Sequence, residues 1–286
     1  MSNQQMNSKL ENQDYPVKIS WFALTWRPIL ARAYPRMIGV RRQPSWVFHE
    51  AILPILSVAA FAYVYRAMNA PESYIGFVIL GGAMTAFWLN VLWSMSAQLY
   101  WERSSGNLEL FIMSPSSMMT ILAGMALGGM ILTSIRALVI VTAGILLFGV
   151  VLQPISWWLF LLAFLLTLLA LYGMGMMFAS IFLMWGREAW HLVNLLQEPV
   201  YLLSGMNFPL QVFPTLVATL AAIIPLTIGM DSMRQILFAT PGFWPLGFEL
   251  IFLTILVILF IYLAYRFLRY LEDKSRQEGK LTIKWQ

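Results

Sequence analysis

Cysteine is absent from this chain of 286 residues, and charge is scarce: only 11% of the residues are Asp, Glu, Lys or Arg. The first absence removes any disulfide framework and any thiolate metal site, and it leaves the redox compartment unread. The second excludes an ordinary water-soluble surface, which carries about 25% charged residues. Histidine is sparse as well. His49 stands alone beside Glu50, as an interfacial residue does. Glu188 and His191 sit three apart at a helix start, but one pair does not fill a tetrahedral site, so no metal is expected. The sequence contains no G-x-x-x-x-G-K-[ST] phosphate loop, no H-E-x-x-H and no G-x-S-x-G. Neither ATP hydrolysis nor intramembrane hydrolysis is therefore expected of this chain, and it needs no cofactor of its own. No short apolar stretch ends in a small-residue cleavage site, so no signal peptide is expected.

What is abundant is apolar sequence, at 60% of residues, gathered into long runs. Hydrocarbon about 30 Å thick calls for roughly 20 apolar residues per helix. Runs of that kind predict an all-α integral membrane protein with six spans, near 46–67, 75–99, within 119–150, 156–184, 189–206 and 246–267. Residues 1–20 read as a flexible polar tail, 21–270 as the membrane domain and 271–286 as a charged tail. Within 21–43, Leu30, Ala33 and Met37 fall on one helical face and Arg32 and Arg36 on another, which predicts an amphipathic helix lying on the membrane surface. Pro28 and Pro35 each disturb a helix and count against it.

Topology follows from lysine and arginine. Seven lie before the first span, Arg103 and Arg187 follow spans two and four, and six lie from Arg266 to Lys284. Arg66 and Arg234 alone fall on the opposite side, and Arg136 lies within a span. Both termini are thus expected in the cytoplasm, in a cell (inner) membrane. The same clustering accounts for the net charge of +5 without nucleic acid as a partner.

Two segments stand out. The loop after span two, YWERSSGNLELFIMSPSSMM, sets apolar Leu108, Leu110 and Phe111 beside Glu102, Arg103 and Glu109, and predicts a short amphipathic helix ended by Ser114-Pro115. Such a helix can enter a groove on a partner, although an ordinary solvated loop is the simpler reading. After span five, the apolar stretch between Pro214 and Pro225 is too short to cross. Its breaks at Gly205, Pro209, Pro214 and Pro225 suit a re-entrant hairpin over 208–227 on the outer side. Arg136 and Glu198 are intramembrane ionisable residues and form a candidate polar pair. Phe87, Asn90 and Met95 are candidates to line a pathway.

With these elements in order, the chain resembles the permeases of type-2 ABC exporters, the group that includes drug and polysaccharide exporters. The resemblance rests on Glu102-Arg103, Gly106, Glu109 and Ser114-Pro115 in the first loop, and on Ser204-Gly205, Pro209, Pro214, Pro225-Leu226-Thr227 and Arg234 after span five. Asn107 stands where that family usually has threonine. The resemblance implies a homodimeric permease in the lipid bilayer. It would be driven by a separate ABC ATPase subunit that binds ATP and Mg. The coupling element would be 100–118, with Glu102, Arg103, Gly106, Leu108, Glu109, Leu110 and Phe111 at the contact. The cargo would be a hydrophobic small molecule, a lipid or a lipid-linked glycan. The competing reading is a secondary transporter or channel that does not use ATP. That reading wants a series of intramembrane acids, of which Glu198 is the clear candidate, and no repeat relates the two halves of the chain.

The charge asymmetry makes a direct prediction. With no native cysteine, a single cysteine placed at position 286 should react only with a cytoplasmic thiol reagent, and one at Arg66 only with an impermeant external one. Labelling of position 286 from outside alone would overturn the topology.

Overall fold

The computed structural model describes residues 21–42, 44–185 and 189–278. The polar amino-terminal tail, residues Gly186-Arg187-Glu188 and the last eight residues lie outside the described residues, and so does half of the Glu188/His191 pair. Among the described residues the secondary structure is helical, with no strand.

Helix α1 is Trp21–Arg42 and α2 is Pro44–Ala67. Helix α3, Glu72–Leu89, continues into a π-helical turn, Asn90–Met95. Two short helices follow, α4 (Gln98–Ser104) and α5 (Leu108–Met113). The long helices α6 (Met118–Phe148) and α7 (Trp157–Trp185) come next, then α8 (Ala189–Leu203). A 3-10 turn at Leu210–Val212 leads to α9 (Thr215–Ala221) and α10 (Pro225–Phe238), and α11 is Leu246–Glu278. Five helical stretches are long and apolar enough to cross a membrane: 50–67, 72–104, 118–148, 157–185 and 246–273. The pair α9–α10, bent by 107°, brings the number to six if it is taken as one broken span. The chain is thus an all-α multi-pass membrane protein.

The spans are unequal in their surroundings. In the most apolar 18 residues of each stretch, 83% are buried within the chain itself for 72–104, against 17% for 50–67 and 22% for 246–273. Helix α3 is therefore the centre of the bundle, with α2, α6 and α10 against it, while α7 packs along α11 and α1 along α6. Small residues permit this crowding, because in lipid close backbone approach replaces the hydrophobic drive. A Cβ at Gly81 of α3 would collide with the Met206 carbonyl, and one at Gly82 with Val58 of α2. A Cβ at Gly124 of α6 would lie 2.6 Å from the Ile29 carbonyl of α1.

Helix α1 runs through both of its prolines, and its faces divide between protein and surroundings. Leu30 and Met37 are exposed, Ala33 alone of that trio is buried, and Arg36 turns inward. The physical reason is the Gly124–Gly128 notch on α6, which admits the backbone of Ile29 and Ala33 and so selects the face carrying the arginines. The run expected as a fifth span forms only the fifteen residues of α8, about 22 Å of helix. Helix geometry then breaks at Ser204-Gly205, and non-helical backbone at 205–208 lies against α3 near Phe77 and Gly81.

Gly81→Val should lower the melting temperature of the detergent-solubilised protein markedly, because the obstructing atom is backbone and cannot step aside. Gly247→Ala, where nothing lies within 4 Å, should leave it within about 1 kcal/mol. Equal melting of both variants would refute the close approach at Gly81.

Candidate functional site

The end of the bundle that holds α4 and α5 is built around a tight double turn. Gly106, at φ +76, reverses the chain between the two short helices, in a left-handed conformation that costs glycine little. Glu102 Oε1 accepts from Gln98 Nε2 at 3.0 Å, and its Oε2 accepts from Asn107 Nδ2 at 2.9 Å, which closes the turn. Gln98 Oε1 in turn accepts from Arg36 Nη2 of α1. Arg36 Nη1 donates to the Met125 carbonyl of α6 at 3.1 Å. Burial pulls the Arg36 guanidinium below its ordinary value, against the opposing influence of Tyr172 and Glu102. One helical turn earlier, the Arg32 guanidinium lies 4.1 Å from the centroid of the Phe111 ring, a cation–π contact. Two arginines of α1 thus hold both arms of the turn. From the other side, Glu272 of α11 accepts from the Met118 amide at the start of α6, where Ser117 is the side-chain cap.

This arrangement reassigns the apolar residues of the turn. Leu108 and Phe111 were expected to face a partner. They are instead 1% and 4% exposed and root α5 in the bundle core. The exposed apolar side chains of α5 are Leu110, at 65%, and Met113, at 83%. Glu109 is exposed beside them. A helix of six residues has one inner and one outer face, and α1 and α6 claim the inner one. Met113 and Gln98 were not singled out from the sequence, and Arg36 was read only as part of the basic face of α1. The signal that could have found Met113 is its spacing of three from Leu110.

The opposite end is organised by Arg234 of α10, which is 2% exposed. Gly205, at φ +69, turns the chain out of α8 and leaves carbonyls at 205–208 without helical partners. Arg234 supplies them. Its Nη2 donates to the carbonyls of Gly205, Met206 at 3.2 Å and Phe77 at 3.4 Å, and its Nη1 to that of Phe208 at 3.1 Å. The guanidinium also lies 4.8 Å from the Phe77 ring centroid. Pro209 precedes the 3-10 turn, Pro214 precedes α9, and Pro225 is the first residue of α10. Helix α10 runs on to Phe238, well beyond the 208–227 segment read from the sequence. Two acids that sequence reasoning missed complete this end. Glu249, fully buried, accepts from Ser232 Oγ at 2.7 Å and from the Trp244 amide at 3.2 Å. Asp231 accepts from the Phe243 amide. Glu249 stands inside an apolar run, which was signal enough to find it.

The remaining candidates are also relocated. Arg136 does form an ion pair, but with Glu50 of α2 rather than with Glu198. Glu198 lies on the exposed side of α8, where its carboxylate accepts from Gln197 Nε2 at 3.3 Å. Sequence separation hid the true partner, since Glu50 sits at the very edge of its span. Phe87, Asn90 and Met95 are buried inside the chain rather than on an open surface. Phe87 meets Phe164 edge to face, Asn90 Oδ1 accepts from the Tyr172 hydroxyl at 2.8 Å, and Met95 packs by Gly175. All three lie on the central stretch formed by α3 and its π-helical turn, with protein packed around them.

Arg136→Met and Glu50→Gln should interact by about 0.5–3 kcal/mol in a double-mutant cycle on unfolding, whereas Arg136→Met and Glu198→Gln should add to within about 0.5 kcal/mol. The reverse result would restore the Arg136–Glu198 pairing.

Comparison with known proteins adds one finding. The protein-family model described as ABC-2 type transporter matches residues 22–238, from the start of α1 to the end of α10, and leaves α11 outside the match. No curated protein matches the chain.

Proposed function

We propose, from the premise that this chain belongs to the ABC-2 type transporter family as a permease, that two copies form a translocation pathway for export driven by a separate ATP-binding subunit. ATP and Mg would be held entirely by that subunit. The cargo would be a hydrophobic small molecule, a lipid or a lipid-linked glycan, moved out of the cytoplasm or the inner leaflet of the cell membrane, with both termini on the cytoplasmic side. The bent pair α9–α10 would be a re-entrant gate on the outer side, with α8 and the segment after it making the fifth of six crossings.

The observation that carries this reading is the shape of the α4–α5 turn. A permease without its own nucleotide site must receive work through a mechanical contact. That contact needs a stiff root and an exposed tip. The root is the set of Leu108, Phe111 and the Arg36–Gln98–Glu102–Asn107 hydrogen bonds. The tip is Leu110, Glu109 and Met113, and the turn runs directly into spans on both sides. Apolar anchors dominate such interfaces, and rim charges such as Arg103 contribute less. The α1 arginines would transmit displacement of the turn to α6 through the Met125 carbonyl. The ATP-independent transporter reading finds less support, because Glu198, its leading intramembrane acid, is on the exposed side of α8.

In a complex reconstituted with its ATPase, Leu110→Asp with Met113→Asp should abolish transport or release the ATPase while the permease melts as the wild type does. Leu108→Asp should instead lower the melting temperature, because it buries a carboxylate in the core. Wild-type transport and copurification in the Leu110/Met113 double variant would sink the coupling assignment.

A further inference from the structure

At the end of the bundle opposite α4 and α5, the chain leaves a cavity of about 470 Å³. Sites for small molecules run to about 300–1,000 Å³. Three span termini build it: the last turn of α2 at Arg66, the first turn of α3 at Glu72, and the end of α6 at Phe148. The turns that frame it pass through left-handed residues, Asn69 and Gly149. Ile75, Phe148, Val150 and Phe238 supply apolar lining, while Asn69, Ser73 and Gln153 supply neutral polar groups. Because three spans begin or end here, the cavity lies at the depth where hydrocarbon gives way to headgroups.

Its two charges are opposite and do not neutralise each other. Arg66 Nη2 donates to the Phe148 carbonyl at 2.9 Å, and its guanidinium lies 5.2 Å from the Phe148 ring centroid. These contacts fix the side chain and occupy one of its five donors. Glu72 stands in the first turn of α3, where the helix dipole favours a carboxylate. Among the described residues it has neither an ion-pair nor a hydrogen-bond partner. A simple anion entering this cavity meets Glu72, and a simple cation meets Arg66. A ligand carrying both signs satisfies both walls at once. Beside the cavity, Tyr63, Val64, Leu146 and Leu147 are large exposed apolar side chains along α2 and α6, a surface on which acyl chains can lie.

The geometry points to a site for a zwitterionic phosphate ester, its phosphodiester on Arg66 and its primary ammonium on Glu72, presented as the headgroup of a membrane phospholipid. A phosphoethanolamine headgroup has this chemistry. A quaternary ammonium lacks the N–H that Glu72 would accept, and an anionic glycerol headgroup lacks the cation. The inference is independent of the transport reading, since it concerns the isolated chain and needs no ATPase.

The test is native mass spectrometry of the full chain released from nanodiscs holding equal amounts of phosphatidylethanolamine, phosphatidylcholine and phosphatidylglycerol. The wild type should retain phosphatidylethanolamine about tenfold over the others, the ratio that corresponds to about 1.4 kcal/mol. Glu72→Gln should abolish that preference, and Glu72→Lys should turn it toward phosphatidylglycerol. Arg66→Gln should remove the retained lipid. Because Arg66 also holds the end of α6, the exposed Glu72 variants carry the decision. Water-soluble glycerophosphoethanolamine, added at millimolar concentration, separates the two sources of this chemistry. Displacement of lipid by it supports recognition of the headgroup from either source, and retention of intact lipid alone supports the leaflet. An identical lipid profile in the wild type, Glu72→Gln and Glu72→Lys, all folded, would overturn the site.

Discussion

The constraint on which the rest of this fold depends is the need to satisfy backbone carbonyls where α8 stops short. Unpaired peptide groups at membrane depth cost several kcal/mol each, so non-helical backbone survives there only when buried in protein and hydrogen-bonded. Arg234 meets that need. A guanidinium has five donors in a rigid fork, and here they reach carbonyls on α3 and on the unwound segment after Gly205. One side chain thereby joins α10, the end of the α8 segment and the central helix. The same closure explains why Gly81 must be glycine, since the Met206 carbonyl occupies the space where a Cβ would stand. Asp231 and Glu249 extend the pattern by accepting from the Phe243 and Trp244 amides just before α11.

The α4–α5 end solves a different problem with similar means. There the chain makes a compact turn outside the spans and must hold it firmly. Arg32 and Arg36, one helical turn apart on α1, grip one arm each, and Glu272 of α11 reaches the start of α6. The turn is therefore tied to the first and last helices of the described chain as well as to the two spans it joins. Movement imposed on Leu110 or Met113 would not be lost in a loose loop. It would pass to α3 and α6, and α3 carries a π-helical turn at Asn90–Met95, a feature that often marks functional positions.

Between the two ends, the packing follows rules for lipid rather than for water. Helices α2, α3, α6 and α7 are apolar nearly all round, so burial of apolar surface cannot choose a partner among them. Close approach at Gly81, Gly82, Gly124 and Gly128 does so, as does the ion pair of Arg136 with Glu50. The exposed apolar side chains of α2 and α6 then become a surface for lipid, and the Arg66–Glu72 cavity sits where that surface meets the headgroups.

The sequence by itself determined the class of fold and the rough number and position of its spans, because a run of about twenty apolar residues has few alternatives in any environment. It also marked the breaks at Gly205, Pro209, Pro214 and Pro225, because glycine and proline act on the local backbone whatever surrounds them. The turn at Gly106 offered the same kind of signal but was not read from the sequence, where the loop was expected to form one short helix rather than two. Only the tertiary structure decided which way each face points. Leu108 and Leu110 are chemically alike, two residues apart, and one is core while the other is surface. Arg136 chose a carboxylate 86 residues distant over one 62 residues away, because helix packing and not sequence distance brings charges together. Mean hydropathy does not track burial, since the two most peripheral spans, 50–67 and 246–273, have the lowest and highest values, 1.3 and 2.6, so it could not reveal that α3 is central and α2 and α11 peripheral. That distinction arises from pairwise contacts between small residues and opposing backbone, and those contacts exist only once the helices have met.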